Sequence, residues 1–167
     1  ILVATPIGNL GDISPRAIAA LQEADLIAAE DTRHSGSLLA HLGIKKPLTS
    51  YYKHNEKAKE EPLLAALAEG KTVALVSDAG TPVISDPGFA IAAAAAEAGF
   101  VVDAIPGPCA LIQALVLSGL PAEKFAFEGF LPRGKEGLNY LQHIAGEGRT
   151  LIFYEAPHRL RQSLSYL

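Results

Sequence analysis

The sequence has one cysteine, no methionine and no apolar run long enough to cross a bilayer. With Cys109 alone, an intrachain disulfide is impossible and zinc ligation by paired thiols is excluded. A spanning helix takes about 18 to 20 apolar residues in series, so no membrane association is expected. The amino end lacks a basic stretch leading into a cleavable apolar segment, and a cytoplasmic location is the expectation. The five histidines show neither HxH nor HExxH spacing and CxxC is absent, so no metal site is expected. GxGxxG and the Walker A pattern are missing too. The first loop has only Gly8 and Gly11 behind a proline, which disfavours a nicotinamide cofactor in a Rossmann crevice. A basic excess is also lacking: 14 Lys and Arg stand against 18 Asp and Glu, for a net charge of -4, which argues against a surface that is positive all round. Local basic groups remain in Lys45 to Lys59, at Arg33-His34, from Arg133 to Lys135 and at His158-Arg159-Arg161, and each taken alone reads as a solvated face.

What is present is enough for a core. With 167 residues and 49% hydrophobic content, the chain supports one full α/β domain and part of a second. It opens in strand-like character at Ile1 and stops at Leu167 inside an amphipathic pattern, so a piece of something longer is expected. Short apolar strands at Ile1 to Ala4, Leu26 to Ala29, Leu48 to Tyr51, Val73 to Val76 and Phe100 to Ile105 alternate with helical segments. Ser14 as N-cap with Pro15 at the first position predicts a helix to about Ala24. Another starts at Asn55, with a kink or restart expected at Pro62, and closes at Gly70. Phe89 to Ala98 and Cys109 to Ser118 predict two more. Strand and helix alternating at βαβ spacing predict an α/β fold, a doubly wound parallel sheet covered on both faces. The pattern breaks near Gly119-Leu120-Pro121, then resumes with Phe and Tyr in the strands Phe125 to Phe130 and Thr150 to Tyr154. The expected division is therefore an amino-terminal α/β domain at 1–118 and, at 119–167, a linker with the truncated start of a second α/β domain.

The segment from Val73 to Gly88 carries most of the functional information. An apolar run breaks into Ser77-Asp78-Ala79-Gly80-Thr81-Pro82 and then Ser85-Asp86-Pro87-Gly88 before an alanine-rich helix. Such a loop places polar groups at the carboxyl edge of a parallel sheet, where ligands bind. The loops after Thr5, Glu30, Pro106 and Glu155 also leave strand ends, so residues far apart in sequence are expected to converge on one cleft.

The blocks ATPIGNL (Ala4 to Leu10), AAEDTRH (Ala28 to His34), LVSDAGTPVISDPG (Leu75 to Gly88), IPGPCAL (Ile105 to Leu111), FEGFLPR (Phe127 to Arg133) and LIFYEAPHR (Leu151 to Arg159), in this order, resemble methyltransferases of tetrapyrrole-methylase type. Within that group they are similar to the branch that methylates a ribose 2′-hydroxyl of small-subunit ribosomal RNA. The resemblance implies a tetrapyrrole methylase-like amino-terminal domain, S-adenosylmethionine as methyl donor held between two α/β domains, a homodimer, and a cytidine of 16S rRNA as acceptor. Carried over by position, the donor lies against Pro6, Ile7 and Gly8, against Ala79, Gly80, Thr81 and Ile84, and against Cys109, Ala110 and Glu155. Two departures from the family pattern are small for small: Cys109 and Ala156 stand where Ser is more usual.

Methyl transfer from a sulfonium is an in-line displacement that asks the protein mainly to align and exclude water. The acceptor hydroxyl is weakly acidic, and Asp31, His34, Asp78 and Glu155 are the candidates to take its proton. Each has a plainer reading: Asp31 caps the following helix, and Asp78 holds its tight loop through an Asx-type hydrogen bond. Arg33, His34, Lys53, His54 and Arg159, with His158 beside it, are candidate RNA contacts through phosphate. Tyr51 and Tyr52 either stack on an unpaired base or pack beneath a loop. Two alternatives remain at this point, a methylase of tetrapyrrole or corrin precursors and a Mg²⁺-dependent phosphate-handling enzyme using Asp31, Asp78 and Asp86.

Overall fold

Alternation in a few short strands decides which helix covers which face of the sheet. In the computed structural model, which describes residues 1–166, the strands β1 (Leu2–Val3), β2 (Leu26–Ala29), β3 (Leu48–Ser50), β4 (Val73–Val76) and β5 (Ala104–Ile105) form one parallel sheet in the order β3-β2-β4-β1-β5. Leu167, the end of the second expected domain, lies outside the described residues. Side chains of successive strand residues point to opposite faces. Val3, Ile27, Ala29, Ala74, Val76 and Ile105 accordingly pack together on one face under Ala17, Ala20 and Leu21 of α1 (Pro15–Glu23) and Leu39 of α2 (Thr32–His41). Ala28 and Leu75 point the other way, to Leu63 of α3 (Glu56–Ala68) and Ile91 of α4 (Phe89–Glu97). The doubly wound parallel sheet expected from the sequence is present.

Local signals explain most boundaries. Ser14 Oγ accepts from the Ala17 amide at 3.1 Å and Pro15 opens α1, as the cap pattern predicts. Asn55 begins α3 differently: its Oδ1 accepts from the Tyr52 amide at 2.7 Å and its amide nitrogen donates to the Ser50 carbonyl at 3.1 Å, which ties the helix start to the end of β3. Of the kink or restart expected at Pro62, the restart does not occur, and α3 runs through that residue. Pro62 itself is exposed while Leu63 and Ala66 beside it are buried, so packing of the inner face outweighs one missing hydrogen bond. The strand expected from Phe100 is only Ala104–Ile105, since β5 is an edge strand and Val101 is 93% exposed.

The chain divides into two compact units, Ile1–Cys109 and Ala110–Leu167. The second holds α5 (Ala110–Ser118), β6 (Phe125–Phe130), α6 (Gly134–Ile144), β7 (Thr150–Tyr154), a 3-10 turn at Pro157–Arg159 and α7 (Leu160–Leu164). β6 and β7 pair in parallel through the α6 crossover, with an irregularity between Phe127 and Phe130. Tyr154 packs edge-on to Phe127 and Phe130, with ring centroids 4.8 and 5.7 Å apart, and its hydroxyl accepts from the Leu111 amide of α5 at 3.3 Å. No helix among the described residues is long and apolar enough to cross a membrane.

The adjacent tyrosines of the first unit part ways. Tyr51 is fully buried and packs with Ala28, Leu75 and Ile91, whereas Tyr52 is 40% exposed. Burial, with the nearby Glu56 carboxylate, pushes the Tyr51 phenol up to about 12, and its hydroxyl, although it lies near Glu56 and the Ile91 backbone, forms no well-aligned hydrogen bond among the described residues. An unmade bond on a buried hydroxyl carries a desolvation cost. Tyr51→Phe is therefore expected to leave stability unchanged or raise it by up to about 1 kcal/mol in a denaturant titration. A loss larger than that would reveal a partner for the hydroxyl.

Candidate active site

The loop that follows β4 is tied to every loop around it in the first unit. Thr5, after β1, donates its amide to the Gly80 carbonyl at 2.9 Å and accepts from the Gly80 amide at 3.1 Å, an antiparallel bridge between two loops of a parallel sheet. The Thr5 hydroxyl adds a 3.3 Å bond to the Ser77 carbonyl. After β2, the Asp31 amide donates to Asp78 Oδ1 at 3.0 Å. After β5, the Pro108 carbonyl accepts from Thr81 Oγ1 at 3.0 Å. At the far end of the loop, Glu56 Oε1 accepts from the Gly88 amide at 3.0 Å. The separated loops meet on one rim at the carboxyl edge of the sheet, as the strand pattern predicts.

Two glycines permit this closeness. A Cβ on Gly107 would lie 2.8 Å from the Cβ of Ala4, and one on Gly80, where φ is +90°, would lie 3.3 Å from Ile7 Cγ2 and 3.6 Å from the Pro108 oxygen. Beyond Gly80 the backbone is strained, with Val83 at φ 76° and Ser85 at φ 62°. A β-branched residue rarely occupies that region, and such strain persists only where surrounding bonds over-determine it. Here Thr81 and Gly88 anchor both ends.

Charge on the rim is negative. Asp31 is the N-cap of α2: its Oδ1 accepts from the Arg33 amide at 2.8 Å, and the Arg33 guanidinium meets its Oδ2 at 2.7 Å. The Arg33 side chain, followed by that amide, holds the carboxyl well below the usual range. Glu30 and Asp86 behave in the opposite way. Burial, then the carboxylates of Asp86 and Asp78, pushes Glu30 up. Burial and Asp78 raise Asp86, against the opposing effect of the Ser77 hydroxyl. A carboxyl held above its unfolded value destabilises the fold once ionised, so this cost sets in as pH rises from about 4 toward the raised folded value and is complete above it. Glu30→Gln and Asp86→Asn are each expected to raise the thermal midpoint at about pH 7 and to lose that gain at about pH 4. An equal gain at both values would show that charge is not the cause.

The remaining candidates of the first unit fall into two surroundings. Pro6 is half-buried, Ile7 and Ile84 are each 36% exposed, Ala79 and Gly8 are exposed, and Cys109 is half-buried after the proline turn. Nothing lies within 4 Å of a Cβ built on Gly8, so open space borders the first loop. Arg33 has a 90% exposed side chain, and His34 beside it is exposed with no side-chain partner among the described residues. Lys53 and His54 are exposed in the turn before α3, where the His54 ring meets Tyr52 edge-on at 6.4 Å. No group of three or more His, Cys, Asp or Glu among the described residues is arranged to hold a metal ion.

In the second unit, Ala110 is exposed at the start of α5 and Glu155 follows β7. The Glu155 carboxylate accepts from the Ala156 amide at 2.8 Å and from Ser163 Oγ, and meets the Arg159 guanidinium at 3.4 Å. The Ser163 hydroxyl, with the Ala156 amide and Arg159, holds it below the usual range. Arg159 also donates to the Leu131 carbonyl at 3.0 Å, and its side chain is only 17% exposed.

The family model for Tetrapyrrole (Corrin/Porphyrin) Methylases matches residues 1–167. This chain belongs to the tetrapyrrole methylase family. It is 56% identical over 98% of its length to a protein of Escherichia coli O157:H7 named ribosomal RNA small subunit methyltransferase I, covering 57% of that protein. The Thermotoga maritima protein of the same name is 51% identical over 98% of this chain, which covers 74% of it. That relative aside, the chain spans about three fifths of the length of the curated relatives it matches. Among solved structures, the uroporphyrin-III-C-methyltransferase of Thermus thermophilus superposes with a TM-score of 0.58 at 26% identity, over 79% of this chain and 63% of that one.

Three carboxylates on the rim of this tetrapyrrole methylase family member lie outside the set the sequence points to for proton transfer. Glu30 and Glu56 face the loop after β4, and Asp86 lies within it. Asp86 and Glu30 stand beside signature residues and carry that much of a signal. Glu56 lies in a charged helix start and has none.

Proposed function

We propose that this tetrapyrrole methylase uses S-adenosylmethionine to methylate the ribose 2′-hydroxyl of a cytidine in 16S rRNA of the small ribosomal subunit, acting in the cytoplasm as a homodimer. The observation that carries the reading is the interlocked rim, in which the Thr5–Gly80 bridge and the Thr81–Pro108 bond fix backbone groups from three strand ends in one place. The names of the relatives point to small-subunit ribosomal RNA as the acceptor, and the sequence resemblance to a cytidine ribose.

The rim has features that suit the donor. Open space beside Gly8 adjoins the half-exposed apolar side chains of Ile7 and Ile84, and Glu30, Asp78 and Asp86 give a negative field that favours a cation. When bound, the donor supplies a methyl group on a positively charged sulfur. Pro6, Ile7 and Gly8, with Ala79, Gly80, Thr81, Ile84 and Cys109, would hold it by close backbone approach and apolar contact. The bonds around Thr5, Gly80 and Thr81 keep that surface from moving, and alignment of reacting atoms is where such a reaction gains most.

Proton removal falls to His34. Asp31 is occupied by Arg33, and Glu155 by Ser163, Ala156 and Arg159, and both carboxyls are weakened as bases by those bonds. Asp78 serves as a positioning residue through the Asp31 amide. Arg33, Lys53 and His54 are exposed and would contact phosphate.

The decisive experiment incubates the full-length protein with labelled donor and small subunits lacking the modification. Label on a cytidine ribose is the expected result, and absence of label from the RNA overturns the proposal. The likeness to a uroporphyrin methyltransferase favours one second reading, for which label would enter a porphyrin precursor and not RNA.

A further inference from the structure

The second unit has a cleft whose charge runs against that of the chain. Arg133, at the corner between β6 and α6, faces the 3-10 turn and α7 across a cavity of about 310 Å³, with His158, Arg159, Gln162, Ser163 and Tyr166 on its walls. That is the lower end of the size range of ligand clefts, which begins at about 300 Å³. No acidic side chain lines it among the described residues, although the whole chain carries a net charge of -4. Arg159 is held in place by the Leu131 carbonyl and Glu155, which use only part of its planar set of donors. Arg133 is exposed and makes no side-chain hydrogen bond or ion pair among the described residues. His158 is exposed on the same turn as Arg159. One cation is thus fixed and preorganised, and a second is free.

We propose that this cleft is a phosphate subsite, in which Arg133, His158 and Arg159 grip a backbone phosphodiester of the RNA substrate. The proposal rests on the RNA methyltransferase reading. A guanidinium suits the task because its fork matches two phosphate oxygens, and an arginine already anchored by a carbonyl loses less freedom on binding. The contact positions RNA without reading its sequence.

The test measures binding of the full-length protein to a 16S rRNA fragment between about 50 and 200 mM salt. Arg133→Gln with His158→Gln is expected to lower the slope of log affinity against log salt by about 1, as the loss of one phosphate contact does. The KM for RNA is expected to rise while affinity for S-adenosylmethionine stays the same, and Arg133→Lys is expected to restore most of the slope. An unchanged slope, in a protein whose unsubstituted form binds and methylates RNA, overturns the subsite alone. Failure of the unsubstituted protein to bind RNA overturns the methyltransferase reading and the subsite with it. Inorganic phosphate supplied at constant ionic strength is expected to compete weakly with RNA, and less so in the double variant. Tight binding of inorganic phosphate with RNA affinity unaffected by the substitutions would assign the cleft to a small anion and overturn the proposal.

Discussion

Gly88→Ala is expected to destabilise the first unit by roughly 2–6 kcal/mol, from overpacking of about 1–3 kcal/mol and backbone strain of about the same size. Gly88 ends the strained loop at φ +129°, a conformation that side chains rarely adopt, and its added Cβ would come within 2.5 Å of Leu75 Cδ2 and 3.2 Å of Val83 Cγ2. Leu75 is 5% exposed in the core between β4 and α4, so relieving the clash requires it to change rotamer within that core. The same amide bonds Glu56, so a shifted Gly88 also loosens the start of α3. Thermal unfolding should show a midpoint lower by several degrees, about 2–4 °C for each kcal/mol in a chain of this size. The two causes separate in a double variant. Leu75→Val removes the clashing methyl but leaves φ untouched, so a coupling of more than about 0.5 kcal/mol with Gly88→Ala assigns the loss to the clash. Strict additivity would assign it to the backbone.

Much of this architecture is legible because strong local signals coincide with tertiary need. Ser14-Pro15 marks the start of α1, and apolar runs bounded by turn residues mark β2 and β4 at their observed limits. Where sequence and structure differ, burial decides. Pro62 fails to interrupt α3 because Leu63 and Ala66 hold the inner face, and β5 is short because an edge strand leaves Val101 in solvent. Nothing in the dipeptide Tyr51-Tyr52 says which ring is buried. Strand phase does, since the Tyr51 amide bonds the Ala29 carbonyl at 2.8 Å and the side chain turns toward Leu75. The meeting of the loops follows from a rule about parallel sheets, and so Thr5, Asp78, Gly80 and Pro108 are recoverable as neighbours before any coordinates. The roles of Glu30 and Asp86 are not recoverable that way. Their raised affinity for protons comes from burial beside Asp78, a property of distances across the sheet edge.

Asp78 offers the sharpest separation of scaffold from chemistry. On the methyltransferase reading, Asp78→Ala in the full-length protein is expected to cut methyl transfer by about 100-fold, the cost of a small misplacement around reacting atoms. Its carboxylate is the acceptor for the Asp31 amide, and Asp31 in turn caps α2 and orders Arg33 and His34. Removing the acceptor orphans a half-buried donor at a cost of about 1–3 kcal/mol. Asp78→Asn keeps an oxygen for that bond and deletes the charge. If the residue acts only as an acceptor, the Asn variant should retain both stability and donor affinity. If its charge contributes to holding a cationic donor, stability should persist while affinity for S-adenosylmethionine falls, and isothermal titration reads the two apart from unfolding. An internal check comes from its neighbours. Asp78 is one cause of the raised values of Glu30 and Asp86, so the neutral-pH gain expected from Glu30→Gln should shrink in the Asp78→Asn background. An undiminished gain would mean that Asp78 does not share a field with Glu30, and the proposed donor site would then lose the concentrated negative charge invoked to favour a sulfonium.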